Sequence, residues 1–301
     1  GRENLEAISL LKELNDAVRV DMPNVLMIAE ESTAWPGVSH PVTSGGLGFD
    51  FKWMMGWMND TLEYFKMDPY FRQFSQHQLT FSLSYAYTEK FLLPLSHDEV
   101  VHGKASLIGR MPGNEEQRFA NLRLLYSLMF THPGGQLLFM GGEFGQTSEW
   151  NFKTGLEWSL IQYDFHRGIQ AIVRALNRIY REEPAMYAMQ YSPTGFEWIA
   201  GDDVQHSVLS FKRKGKPGDP ALTVVLHFTP VLREKYKVGV SQKGEWEVIL
   251  NSDQEAFGGE GRGSSGKIKT RPESWNGRPH SLELDLPPLG ALILRGSPEK
   301  A

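Results

Sequence analysis

Three carboxylates stand at the ends of apolar runs of strand length. Glu30 closes "NVLMIAE", Asp98 follows "FLLPLSH", and Glu143 follows "GGQLLFMGG". A buried charge is costly unless it is paired or used, and functional groups collect at the carboxyl ends of parallel strands. A protonated and an ionised carboxylate acting together are the pair that cleaves glycosidic bonds. Three such endings in series therefore predict a catalytic site for sugar chemistry.

Glu30 and Asp98 suit the two roles of such a pair differently. Glu30 ends an apolar run, where removal from water would favour its protonated form, so it is the candidate general acid and base. Asp98 directly follows His97 and would stay ionised beside it and the sugar hydroxyls. A carboxylate that only caps the next helix is the alternative interpretation for either residue alone. Strand alternation by itself does not separate Glu30 from Glu31.

Aromatic residues accompany these carboxylates. The chain has 8 Trp, 10 Tyr and 17 Phe, and several, such as Trp35, Trp53 and Trp150, stand in polar or Gly-rich surroundings. Any one of them is more simply explained as a core residue. Together they also suit a sugar-binding cleft, because aromatic faces pack against the C–H faces of pyranose rings.

Other kinds of active site find little support in the sequence. His97 and His102 are five residues apart, whereas the zinc-protease helix needs a spacing of four. There are no cysteines, which excludes disulfides and thiolate metal ligands. Neither a G-x-S-x-G nucleophile elbow nor a phosphate-binding loop occurs. We therefore expect no metal and no cofactor.

Composition limits the partners and the compartment. The 301 residues carry a net charge of -5, and the only dense basic run, "KRKGK" at 212–216, is interpreted as a solvated turn. A nucleic-acid surface is therefore not expected. No apolar run approaches the roughly 20 residues of a membrane helix, and the absence of cysteine fits a reducing cytoplasm. The sequence does not indicate an oligomeric state.

Apolar spacing predicts how the first part of the chain is built. Leu5, Ile8, Leu11 and Leu14 predict one buried helix face, and the unbroken apolar runs are typical of parallel strands buried on both faces. Strands alternating with helices indicate a parallel sheet with helical crossovers. The predicted helices are 3–17, 53–66, 115–131 and 165–181; the four predicted strands lie near 24–32, 48–53, 90–99 and 134–145.

The second part of the chain has a different pattern. After about residue 188, short alternating strands are separated by Gly, Pro, Asp and Asn turns, which predicts an antiparallel sandwich of about 110 residues. We therefore divide the chain into 1–187 and 188–301. Only four strands precede the second part, whereas a closed barrel needs about eight. The first half of the barrel is expected upstream of Gly1, and the open sheet edges predict poor stability or aggregation for this half alone.

Three segments carry a specific resemblance to a known family. "MIAEESTAWPGVSHPVTSGGLGFDFKWMMGWMNDTLEYF", "LPLSHDEVVHGK" and "LLFMGGEFGQTSEWN" resemble the glycogen branching enzymes, the 1,4-α-glucan branching enzymes of the α-amylase superfamily. The later "GFEWI", "HFTP" and "EVILNSD" resemble the β domain of that family, so the resemblance covers nearly the whole chain. The implied fold class is α/β, the second half of a (β/α)8 TIM-type barrel, followed by an all-β antiparallel sandwich domain.

The resemblance also implies a reaction and its residues. An α-1,4-glucan segment would be held covalently on an Asp and then transferred to a 6-hydroxyl, giving an α-1,6 branch. Glu30 matches the general acid/base and Asp98 the residue that stabilises the transition state, while His97 matches a sugar-contacting position. The nucleophilic Asp of the family is expected upstream of this chain, so the chain alone should be inactive.

Further residues are expected around this pair. Trp35 is a candidate for substrate binding, and Glu143, Glu99 and His102 are candidates for support of the surrounding loops. Two other functions stay open: an α-amylase-type hydrolase, which shares the same carboxylates, and a glucan-binding fragment without catalysis. The expected partner is an α-glucan such as glycogen or amylose.

Overall fold

The computed structural model of the chain describes residues 3–298. Its α-helices are α1 Leu5–Asp21, α2 Met55–Lys66, α3 His77–Thr80, α4 Leu107–Arg110, α5 Glu115–Thr131, α6 Asp164–Glu182 and α7 Pro184–Tyr187. Its strands are β1 Ile28–Ala29, β2 Phe51–Trp53, β3 Phe91–Leu95, β4 Gly135–Leu138, β5 Phe196–Asp203, β6 Val208–Arg213, β7 Pro220–His227, β8 Arg233–Val240, β9 Glu245–Asn251, β10 Lys267–Lys269, β11 His280–Leu286 and β12 Gly290–Pro298.

The first four strands form one parallel sheet in chain order, β1-β2-β3-β4. Helices α2 and α5 cross between strands, as expected for a parallel arrangement. The connection from β1 to β2 differs, because it contains only a 3-10 turn at Val42–Ser44 and no α-helix. The predicted parallel sheet with helical crossovers is thus confirmed, with one crossover lacking its helix.

The beginning of the chain departs from prediction. Helix α1 is present, but Leu5 and Leu14 are exposed, while Asn15 and Val18 are its buried residues. Strand β1 pairs over two residues only, and Ile28 is 42% exposed. The expected buried face and the strand buried on both sides are therefore wrong here. The physical reason is that no described element covers the other side of α1 and β1.

Helix α5 shows the opposite situation. Asn114 caps it through a reciprocal pair of hydrogen bonds with Gln117, which defines its first turn. All residues from Phe119 to Thr131 are buried. The predicted bounds of this helix are confirmed, and because it is enclosed on every side it needs no polar face along its last three turns.

The remaining strands are antiparallel. Six of them form a sheet in the order β10-β9-β12-β7-β6-β5, and β11 pairs with β8 in a second, two-stranded sheet. Leu282 and Leu284 of β11 pack with Val225 of β7 and Leu292 of β12 in one apolar cluster, so the two sheets enclose a core. This confirms the predicted all-β sandwich.

One continuous core joins the parallel and antiparallel sheets. Leu222, Val224 and Ile293 of the antiparallel sheet belong to the same buried cluster as Leu122 and Leu125 of α5. The "KRKGK" run lies at this contact. Arg213 is 1% exposed, and its two terminal nitrogens donate to Thr131 O (2.5 Å) and Met186 O (2.9 Å). The interpretation of this run as a solvated turn is wrong for its first two residues, because β6 extends to Arg213 and Lys212 is also buried.

None of the helices within residues 3–298 has the length and apolar character of a membrane span.

Candidate active site

Strand β3 ends in a tightly tied turn that carries His97 and Asp98. Its 3-10 helix, His97–Val100, begins at Ser96, whose N–H and hydroxyl both donate to Glu99 Oε2 at 2.7 and 2.6 Å. Glu99 itself is 3% exposed, and Arg110 donates to its carbonyl oxygen. Glu99 thus holds the turn from within and leaves the two residues before it at the surface.

His97 and Asp98 lie side by side and half exposed. His97 Nε2 is 3.2 Å from Asp98 Oδ1. The imidazole also contacts two aromatic rings, with centroid distances of 5.9 Å to Phe139 and 6.4 Å to Trp150. Phe139 follows β4, so aromatic residues from the neighbouring strand end flank this pair. The result is an anionic group next to an imidazole and two rings, a composition suited to sugar recognition.

The loop after this turn has an unusual backbone. His102, Gly103 and Ala105 all have positive φ values, of 56°, 79° and 64°. Glu149 accepts hydrogen bonds from Gly103 N (3.1 Å) and Ala105 N (2.7 Å). These two backbone hydrogen bonds lower the pKa of Glu149. The conformation of the loop is therefore held by a carboxylate from the segment after β4, while the His102 side chain is exposed.

The end of β1 presents Glu30 and Glu31 on opposite faces of the sheet. Ala29 pairs with Lys52, and Lys52 with Phe91, so these three share one face. Lys52 Nζ is 2.6 Å from Glu31 Oε2, which places Glu31 on that same face. Because side chains alternate along a strand, the Glu30 side chain lies on the other face of the sheet. Glu30 is exposed, so the desolvation expected for it is not present in this structure.

Glu31 is held ionised by its neighbours. Partial burial alone would raise the pKa of this carboxyl, but hydrogen bonds from Lys52 and Thr33 outweigh it and lower the pKa. Thr33 N donates to Glu31 Oε1 at 2.6 Å, and Lys52 Nζ donates to Thr33 O at 2.9 Å. A carboxylate fixed in this way is a poor proton donor at neutral pH.

Trp35 lies on the Glu31 side of this segment. It packs against the small apolar cluster of Ala29, Val38 and Leu47. It also lines a cavity of about 470 Å³ together with Glu31 and Lys52. The structure thus groups Trp35 with Glu31, while Glu30 follows the opposite face.

Glu143 folds back on its own turn after β4. Its Oε2 accepts from Gly141 N at 2.7 Å, and Tyr126 donates to the adjacent Gly142 O at 2.6 Å. Gly141 has a φ of 88°, a conformation that favours glycine. Glu143 therefore contacts the loop backbone after the strand, in keeping with a supporting position.

Sequence comparison shows which proteins the chain is similar to. Residues 198–297 match the family model described as the alpha amylase C-terminal all-beta domain. A 1,4-alpha-glucan branching enzyme of Xanthomonas axonopodis pv. citri is 54% identical over 294 residues, which are 98% of this chain and 41% of that protein. One of Pseudomonas aeruginosa is 55% identical over 295 residues, covering 98% and 40%.

By sequence, the chain is similar to 1,4-alpha-glucan branching enzymes over 98% of its own length. It spans about two fifths of the length of the curated relatives that it matches.

Solved structures extend the likeness at the level of the fold. The alpha-amylase from H. orenii has a TM-score of 0.58 at 15% identity, covering 97% of this chain and 57% of that one. A pullulanase complexed with maltotetraose, from Anoxybacillus sp. LM18-11, has a TM-score of 0.63 at 13% identity, covering 96% and 42%. At such identities the match concerns the fold alone.

Three residues around the candidate site are absent from the sequence predictions. Lys52 is a charged residue inside the apolar strand "FDFKW", and that anomaly is a signal that it is paired. Glu89 is 7% exposed and accepts from Val38 N and Ser39 N across 50 residues or more. No local sequence pattern indicates the role of Glu89. The same is true of Glu149, whose partner Ala105 is 44 residues away in the chain.

Proposed function

We propose that this chain supplies the general acid/base and the transition-state stabiliser of a glucan-branching reaction. Glu30 gives a proton to the glycosidic oxygen as the α-1,4 bond breaks, and the glucan segment becomes esterified to an aspartate. Glu30 then takes the proton of an acceptor 6-hydroxyl as that oxygen attacks the sugar C1 and displaces the aspartate. Two inversions give net retention and an α-1,6 linkage.

The observation that supports this proposal is that the two glutamates at the end of β1 lie on opposite faces of the sheet. The face with Ala29, Lys52 and Phe91 packs against helices, since Phe91 shares a buried cluster with Trp57 of α2. In a barrel, helices cover the outside of the strands and side chains on the other face look inward. Glu30 is on that inward face, whereas Glu31 is tied to Lys52 on the outer one.

Asp98 and His97 take the remaining roles in the proposed site. Asp98 offers negative charge to the oxocarbenium-like transition state, and His97 contacts the same sugar unit. Their turn is fixed by Glu99 from inside and the next loop by Glu149. Fixed groups stabilise a transition state more effectively than mobile ones, because no reorganisation is needed during the reaction.

The esterified aspartate is proposed to come from chain outside these 301 residues. We accordingly assign residues 1–187 to half of the catalytic barrel and residues 188–301 to the all-β domain. The chain by itself is then expected to form no α-1,6 linkages from amylose. Proton NMR of the α-1,6 anomeric signal measures this directly, and branching by the isolated chain would contradict the proposal.

A hybrid protein tests the roles. The chain replaces the equivalent region of the Pseudomonas aeruginosa relative, and branching is followed by the same NMR signal. Glu30→Gln and Asp98→Asn are each expected to lower kcat by about 10²–10⁴-fold, and Glu31→Gln by much less. Loss in Glu31→Gln with activity kept in Glu30→Gln would transfer the acid role to Glu31. Release of reducing ends without new branches would identify a hydrolase.

A further inference from the structure

The missing helix between β1 and β2 leaves the outer face of the sheet open at one place. Residues 31–37, the beginning of α2 and residues 85–91 surround this opening and enclose about 470 Å³. This is within the usual size range of small-molecule pockets, roughly 300–1,000 Å³. The cavity lies on the Glu31 face of the sheet, opposite the face of Glu30.

The walls of the cavity are aromatic. Trp35, Tyr85 and Phe91 line it, and the rings of Tyr85 and Phe91 meet edge to face at 6.1 Å. Gly56 also lines the cavity, and a Cβ there would come within 2.4 Å of the Tyr85 hydroxyl. Any larger residue at position 56 would therefore displace Tyr85, so the space beside this ring depends on a glycine.

One end of the cavity is polar but carries almost no net charge. Lys52 is 5% exposed, and its ammonium lies between Glu31 Oε2 and Thr33 O. An ammonium has three N–H groups, and these two partners take two of them. A free anion would be repelled by Glu31, and a free cation would be repelled by Lys52. The other carboxylate of the lining, Glu89, already accepts three hydrogen bonds from the loop behind Trp35. The ligand that fits is therefore neutral, with hydroxyl groups that both donate and accept.

The far wall is preformed. Glu89 accepts three hydrogen bonds, from Val38 N (2.9 Å), Ser39 N (2.8 Å) and Ser39 Oγ (2.5 Å), which fixes the loop behind Trp35. A wall held in this way loses little conformational freedom when a ligand binds. The cavity is therefore available without rearrangement of its loop.

We propose that this cavity binds the end of an α-glucan chain as a second site, on the opposite face of the sheet from the acid/base. A glucosyl unit is neutral, carries hydroxyls around its rim and has apolar C–H faces that pack on aromatic rings. The choice of an α-linked glucan rests on the proposed function; the aromatic walls and the neutral polar end do not. Residues 30 and 31 are adjacent, so one backbone segment borders both sites.

Binding of maltotriose to the 301-residue chain tests the proposal without any turnover. At chain concentrations at which sedimentation velocity shows the monomer, isothermal titration calorimetry is expected to show weak binding, and Trp35→Ala is expected to weaken it by about tenfold or more. Trp275→Ala is the matched control, because Trp275 is a half-exposed tryptophan of the antiparallel region. Equal affinity of the two variants, or no binding to the unaltered chain, would overturn the proposal.

Hydrogen exchange on the unaltered chain covers the case in which Trp35→Ala does not fold. Maltotriose is expected to slow exchange of amides in residues 31–37 and 85–91, and protection elsewhere only would overturn the proposal. Cellotriose, with β linkages, shows whether an α-linked chain is required. Neither measurement uses catalysis. Binding at this cavity can therefore be observed even if the hybrid protein forms no branches, and branching by the hybrid can be observed even if the cavity binds no glucan.

Discussion

Two strands of the parallel sheet are made from similar apolar runs but are held very differently. In the interior strand β3, Leu93 and Leu95 are fully enclosed by α5 and the shared core. The edge strand β1 pairs over two residues, and Val25, Leu26 and Ile28 are exposed. An apolar run thus becomes a long buried strand only where other elements cover it, because burial supplies most of the stabilisation.

The covered part of the parallel region is also tied to the antiparallel sheet by buried arginines. Arg213 of β6 donates to carbonyls at the ends of α5 and α7, and Arg72 donates to Phe228 O at 3.0 Å and Phe65 O at 2.9 Å. Burial lowers the pKa of both guanidinium groups to about 10, so both remain charged at neutral pH. We therefore expect the parallel and antiparallel sheets to unfold as one unit on this side.

Removal of Arg213 is expected to have the largest effect on stability. Arg213→Met keeps the apolar stem but leaves two buried carbonyl oxygens unpaired, and we expect a loss of about 3–5 kcal/mol in the free energy of unfolding. Urea unfolding followed by far-UV circular dichroism measures it. Arg271→Met is the matched control, because its ion pair with Glu283 is exposed and worth about 0–1 kcal/mol. Equal losses would show that the junction is not the stronger contact.

Two buried histidines, one on each side of the junction, test whether the two sheets unfold together. Burial lowers the pKa of His132 and of His227 to about 4. The unfolded chain, with histidine pKa values near 6.5, then binds more protons than the folded one between about pH 6.5 and 4. The stability due to the neutral rings is complete above about pH 6.5 and falls as the pH drops toward 4.

From pH 7 to pH 5, each of these histidines is expected to remove about 2 kcal/mol from the free energy of unfolding. His132→Gln should reduce that pH dependence by about half, and the exposed His77→Gln should leave it unchanged. His132 receives a contact from Ser82 Oγ at 3.0 Å, which glutamine can replace. Two separate unfolding transitions with different pH dependence would show that the sheets are independent.

The same contrast explains which features the sequence could predict. His97 and Asp98 follow β3, a strand buried by its own neighbours, and local pattern was sufficient to place them at the end of that strand. Helix α5 was likewise predicted with its correct bounds, because its cap and its apolar content are both local. Arg213 was misjudged since its burial depends on Thr131, 82 residues away. Glu30 and Glu31 are equivalent in sequence, and only the long-range partner Lys52 separates them.

The exposed edge gives the smallest effect on folding and the clearest one on association. Leu10 and Val20 of α1 are 65% and 78% exposed, so Leu10→Glu and Val20→Glu should change the free energy of unfolding by less than about 0.5 kcal/mol. Val18→Ala, at a buried position of the same helix, should cost about 1 kcal/mol or more. Exposed apolar patches and open strand edges favour self-association, and added charge opposes it.

Sedimentation velocity of the double glutamate variant therefore measures what this edge does. We expect the unaltered chain to form concentration-dependent aggregates and the variant to shift toward the monomer. A matched variant with Lys216→Glu, exposed but far from α1 in the chain, controls for the change in net charge. If the unaltered chain is monomeric and melts cooperatively, the apolar surface of α1 and β1 is tolerated in water. Strands β1 and β3 would then differ in coverage but not in behaviour, because two paired residues would be enough to hold β1 in place.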